Sequence, residues 1–212
     1  MPTPEQILEG LNRISSQWTA LAVIWHAYFG ILLILLLAGV RRAQRVMAVV
    51  LSLPLLSVSA LAWDASNPFN GTMFLLFGIG LIVIGLRLPA EPVTVSRQWL
   101  VTGLLVILFG WIYPHFISED PALHYLITAP LGLVPCPTLS MVIGISFLLG
   151  GLSSPGWMRI LGSAGILYGL FGAFRLGVYI DIILLVAAVL LVAASTRVLG
   201  AASLHPDAAR RS

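Results

Sequence analysis

Long apolar runs separated by short polar gaps fill most of this chain. A helix that crosses a bilayer needs about 20 apolar residues at 1.5 Å rise each, and that length is the measure of each run. The first predicted span runs from Trp18 to Val40 and stops at Arg41-Arg42. The second, Val46 to Ala62, holds Pro54, which predicts a kink; the hydroxyls of Ser52, Ser57 and Ser59 are expected to satisfy the backbone it frees. The third covers Phe69 to Leu86, the fourth Gln98 to Phe116, and the fifth begins at Pro135 and ends near Gly151. The stretch from Trp157 to Leu199 would exceed roughly 60 Å as one helix, so it predicts a hairpin of two spans broken at Arg175-Leu176-Gly177. On the sixth span, Gly165, Gly169 and Ala173 form a ridge of small residues that predicts close helix contact.

The first residues follow a different pattern. Thr3-Pro4-Glu5-Gln6 reads as a capping box with proline at the first helical position. Ile7, Leu8, Leu11 and Ile14 then share one face, which predicts a short helix lying in the membrane interface. Glu5 and Glu9 stand where a cleavable signal would carry a basic start, so this segment is read as retained. The expected organisation is an interfacial helix over 1–17, one bundle of seven transmembrane helices over 18–199, and a cytoplasmic tail over 200–212. The predicted class is all-α and polytopic.

Charge sets the expected orientation. All eleven cationic side chains are arginine. Arg41, Arg42, Arg45, Arg87, Arg97, Arg159, Arg197, Arg210 and Arg211 fall in alternate gaps, while Asp64, Glu119, Asp120 and Asp181 fall in the others. Arginine gathers on the cytoplasmic side, so the N-terminus is expected outside and the C-terminus inside a bacterial inner membrane. Only 9% of residues are charged against 59% hydrophobic, far from the roughly 25% charged of a soluble domain. The pI near 9.5 therefore points to lipid head groups and not to nucleic acid, because the basic residues flank apolar runs without forming a stripe.

Ionisable groups at membrane depth are costly and each asks for a reason. His26, Asp64, His115, His124, Cys136, Arg175 and Asp181 all map to the expected outer half. They either outline an outward-facing ligand site or mark where water begins. Pro135-Cys136-Pro137-Thr138 puts the single cysteine in a first helical turn, where the dipole favours a thiolate. Cys136 is then either a soft-metal ligand, with His115 as a second, or a small buried apolar residue. Arg175 and Asp181 are expected to meet as a salt bridge across the hairpin. One cysteine excludes an intrachain disulfide and a CxxC pair. The absence of lysine excludes a retinal Schiff base, and no GxSxG, P-loop or dinucleotide glycine pattern occurs. The histidines are too few after the fifth span for the zinc site of ceramidase-type hydrolases.

From Tyr113-Pro114 through Ala129-Pro130-Leu131-Gly132-Leu133-Val134-Pro135-Cys136-Pro137-Thr138, the chain resembles a family of small bacterial multi-pass membrane proteins catalogued as a domain of unknown function. Asn67-Pro68, the tryptophans of the first span and Leu176-Gly177-Val178 before Asp181 fit that pattern more loosely. Glu119, Asp120 and His124 replace a more glycine-rich loop. The resemblance implies a polytopic inner-membrane protein and carries over no catalytic residue.

Two functions follow as expectations. The first is a transporter-like or ligand- or metal-binding protein whose outward site uses Cys136, His115, Asp64 and Asp181. The second is a non-catalytic accessory subunit that packs against a larger membrane complex, since the middles of the spans are almost purely aliphatic; membrane lipids and either a homo-oligomer or such a complex are the expected partners. An enzyme is the least supported, for want of catalytic spacing.

Overall fold

The computed structural model describes residues 3–113 and 125–204, so the expected tail lies largely outside it. Its helices are α1 (Pro4–Gln17), α2 (Thr19–Leu37), α3 (Gln44–Asp64), α4 (Pro68–Leu86), α5 (Leu100–Trp111), the single turn α6 (Tyr125–Thr128), α7 (Pro135–Leu148), α8 (Pro155–Leu170) and α9 (Ile182–Leu204). The capping box of α1 forms as expected, with Thr3 and Gln6 each bonding the other's backbone N–H. Between α8 and α9 a π turn, Phe171–Arg175, and a 3-10 turn, Tyr179–Asp181, bracket the expected hairpin break.

Five helices among the described residues, and not the expected seven, are long and apolar enough to cross a bilayer: α2, α3, α4, α8 and α9, the last two counted with their adjoining turns. This makes the chain a multi-pass helical membrane protein. The fourth and fifth predicted spans shrink to α5 and α7, about 18 and 21 Å long at 1.5 Å per residue. Helix α7 starts at Pro135 as expected and falls short at its other end, stopping at Leu148 just before Gly150 and Gly151, whose φ values of 57° and 65° are not helical. Pro130 and Pro135 hold residues 129–134 out of helical conformation. Residues 129–134 are buried in protein, where irregular backbone is tolerated.

Helix α7 sits at the centre. Every residue in it except Cys136 is buried, as a helix apolar on all sides must be. It packs on α5, α8, α9 and α3, while α3 pairs with α4 and α8 with α9. A methyl group at Gly144 would stand 2.8 Å from the Ile107 backbone nitrogen, so the α5–α7 crossing admits no side chain there. The small-residue ridge of α8 does what its spacing predicts: added carbons at Gly165 and Gly169 would meet Ala188 and Leu185 of α9 at 2.6 and 2.9 Å. Ile24, Ile31, Leu76 and Leu105 remain exposed on the bundle's outer faces, suited to lipid.

The turns alternate between two ends. At one end the α2–α3 turn pairs with the α4–α5 linker, through Gln44 N–H to Glu91 O and Val93 N–H to Arg42 O, both 2.9 Å. Ser96 N–H joins the same end to Leu148 O at 2.8 Å. This end holds Arg41, Arg42, Arg45, Arg87 and Arg97. The opposite end holds α1, the α3–α4 turn, residues 129–136 and the α8–α9 break.

The backbone freed by Pro54 in α3 is satisfied differently from expectation. Pro54 has no N–H for the carbonyl of Val50, and Tyr28 of α2 supplies the missing donor at 2.7 Å. Ser52 bonds Ala48 in its own helix, Ser59 bonds Gly71 of α4, and Ser57 accepts from Trp25. A tyrosine on a neighbouring helix reaches the orphaned carbonyl where serines on the same helix are spent elsewhere. Replacing Tyr28 by Phe should destabilise the protein by about 1–3 kcal/mol, the cost of a stranded buried acceptor. In a Pro54→Ala background, where the restored N–H serves Val50, the same change should cost far less. Thermal unfolding of the four variants in detergent measures the difference.

Candidate functional site

At the arginine-poor end, four separate elements meet around one carboxylate. Asp181 ends the 3-10 turn immediately before α9, where the positive end of the helix dipole favours an anion, and it is 1% exposed. Tyr113, just past the end of α5, donates its hydroxyl to Asp181 Oδ1 at 2.6 Å. Cys136, in the first turn of α7, donates its thiol to Asp181 Oδ2 at 3.1 Å. Gly172, in the π turn, completes the fit: an added Cβ would collide with Asp181 Oδ2. The π turn thus lets the backbone close over the carboxylate, as such turns often do at functional sites.

A cavity with about 50 Å³ open to the centres of water molecules adjoins this cluster, enough for several waters. Helix α1 supplies one wall through Ile7, Leu8 and Leu11, so the face predicted for the membrane interface covers the cavity. Asn70 and Tyr168 supply a second polar element, with the Tyr168 hydroxyl donating to Asn70 Oδ1 at 3.0 Å. Tyr168 is set by its ring contact with Phe74, 4.9 Å between centroids, and Tyr113 by an edge contact with Phe109 at 5.3 Å. No arginine or histidine is among the described residues that line the cavity.

Of the expected site residues, the structure brings together Cys136 and Asp181. The contact fits a neutral thiol, correcting the expected thiolate: a donating S–H suits a carboxylate 3.1 Å away, whereas a thiolate would repel it. Arg175 does not pair with Asp181. It is exposed, and its guanidinium acts on Glu5 of α1. The Glu5 carboxyl is held below the ordinary glutamate range by its own backbone N–H, then by the Thr3 side chain, with Arg175 adding to the effect. Asp64 is exposed at the end of α3 and does not line the cavity. His26 is buried in α2, with Nδ1 2.8 Å from Ala22 O and Nε2 3.4 Å from Trp111 O, and serves the α2–α5 contact. His115 and His124 lie outside the described residues. Among the described residues, no three His, Cys, Asp or Glu side chains gather closely enough to hold a metal ion.

Tyr113, Asn70, Tyr168 and Gly172 were not singled out as site residues from the sequence. Asn70 and Tyr168 carry a faint signal, being lone polar groups inside apolar runs. Tyr113 and Gly172 carry none, since their role depends on where Asp181 comes to rest.

No family model matches the chain, and neither a curated protein nor a solved structure does. The site therefore stands on its geometry.

Tyr113→Phe should destabilise the protein by about 1.5–3 kcal/mol, since it removes a hydrogen bond from a buried charged group. In an Asp181→Leu background the same change should lose most of that cost, giving a coupling of about 0.5–3 kcal/mol between the two sites. Unfolding midpoints of the double-mutant cycle report it.

Proposed function

We propose that this chain is a ligand-binding, transporter-like protein of a bacterial inner membrane, with the cavity beside Asp181 as its site. The reading rests on one observation above others: a carboxylate at 1% exposure, held by Tyr113 and Cys136 against a partly apolar cavity. Ionisable groups inside membrane proteins are expensive and are kept for ligands, ions or protons. The positive-inside rule would place the arginine-bearing end in the cytoplasm and the cavity on the outer side. Helix α1, anchored mainly to α2, is then the wall a ligand displaces on entry.

Native mass spectrometry of the detergent-solubilised protein tests the reading. A small molecule should ride at one equivalent and be lost from Leu8→Trp, which fills the cavity from α1 without touching the Asp181 cluster. A bare protein, or one that elutes with a stoichiometric second polypeptide, speaks instead for an accessory subunit of a larger complex. A reporter fused after Leu204 should be active on the cytoplasmic side.

A further inference from the structure

Building on that ligand-binding reading, we infer that the cavity takes a primary ammonium group carrying a hydrocarbon chain, with Asp181 as its counter-ion. Both oxygens of Asp181 accept from neutral donors, the Tyr113 hydroxyl and the Cys136 thiol, so the hydrogen bonds leave its charge uncompensated. Arg175, the nearest arginine in sequence, is exposed and does not line the cavity, and the described lining contributes no cation. With no cation among the described lining residues, a buried carboxylate in that position calls for one carried by a ligand.

The surroundings select the kind of cation. A hard metal ion needs six or more oxygen ligands, whereas the described lining offers one carboxylate, whose two oxygens already accept hydrogen bonds, beside neutral groups of which Asn70 and Tyr168 bond each other. Three aromatic rings line the cavity, those of Tyr113, Tyr168 and Phe171, and ring faces attract organic ammonium groups. An ammonium head has three donors, and a carboxylate oxygen keeps lone pairs free after one hydrogen bond. The small open volume admits an NH₃⁺ head more readily than a bulky quaternary one. Ile7, Leu8 and Leu11 of α1 give the hydrocarbon chain an apolar wall to run along. An anionic amphiphile would meet the carboxylate as a like charge.

Cys136 is the only cysteine and donates to the same carboxylate, so it reports occupancy of the site. The experiment measures the rate of Cys136 alkylation by a maleimide in maltoside micelles, with n-octylammonium, n-octanol or n-octanoate at equal mole fraction. Octylammonium should protect the thiol at a concentration about ten- to a hundredfold lower than octanol, the factor expected of hydrogen bonds to a charged group. Octanoate should protect least. In Asp181→Asn the advantage of the ammonium over the alcohol should vanish while protection by octanol persists. Equal protection by octanol and octylammonium in the wild-type protein overturns the inference but leaves an amphiphile-binding cavity in place. Failure of all three probes to protect overturns it as well, and the bound-mass experiment then judges the cavity separately. The wild-type charge series decides the matter even where Asp181→Asn does not fold.

Discussion

Hydrocarbon offers a polypeptide no hydrogen-bonding partner, so irregular backbone survives at membrane depth only where protein surrounds and satisfies it. Three places in this structure answer to that constraint. In α3 the carbonyl freed by Pro54 takes its donor from Tyr28 of the neighbouring helix. Before α7, residues 129–134 bond among themselves, with Leu133 and Val134 N–H groups on Pro130 O. Thr138 ties that loop to the helix, accepting from Gly132 N–H at 2.9 Å and donating to Val134 O at 2.7 Å. Between α8 and α9, Val178 N–H returns to Gly172 O at 2.9 Å, closing the break on itself.

The site is a consequence of those satisfied irregularities. Because α7 begins behind the buried loop 129–134, its first turn lies inside the protein, and Cys136 is its one residue not fully buried. Because the α8–α9 hairpin opens through a π turn, Gly172 and Asp181 face each other across the break. Because α5 ends early, Tyr113 leaves its helix at the height of Asp181. Each of the three helices that interrupts itself contributes a polar group, and the polar groups satisfy one another. A bundle of uninterrupted helices would have left a buried carboxylate at this depth without donors.

Burial of α7 also explains why this apolar helix falls short of spanning length. A helix in contact with lipid must cover the hydrocarbon thickness, but α7 is wrapped by α3, α5, α8 and α9 and meets protein on every side. Its glycine contact with α5 at Gly144 brings the two backbones close. The five longer helices form the outer part of the bundle, and their exposed isoleucines and leucines suit lipid.

The sequence by itself determined the class of protein, the start of α7, the capping box of α1, the packing ridge on α8 and the hairpin break near Gly177. Those features follow from local rules: apolar run length, proline geometry, cap chemistry and the bulk of a side chain at a contact. It also marked Cys136 and Asp181 as candidates, because ionisable groups stand out against aliphatic runs. It overstated the number of spans, since run length cannot tell lipid-facing residues from residues buried in protein. It also misjudged partners: Arg175 was expected for Asp181 and serines for the Pro54 kink, whereas Tyr113, Cys136 and Tyr28 took those places. The tertiary structure alone decided these pairings. Hydrogen bonds between segments 22 to 68 residues apart depend on how helices rotate and stack, and no local spacing encodes that rotation.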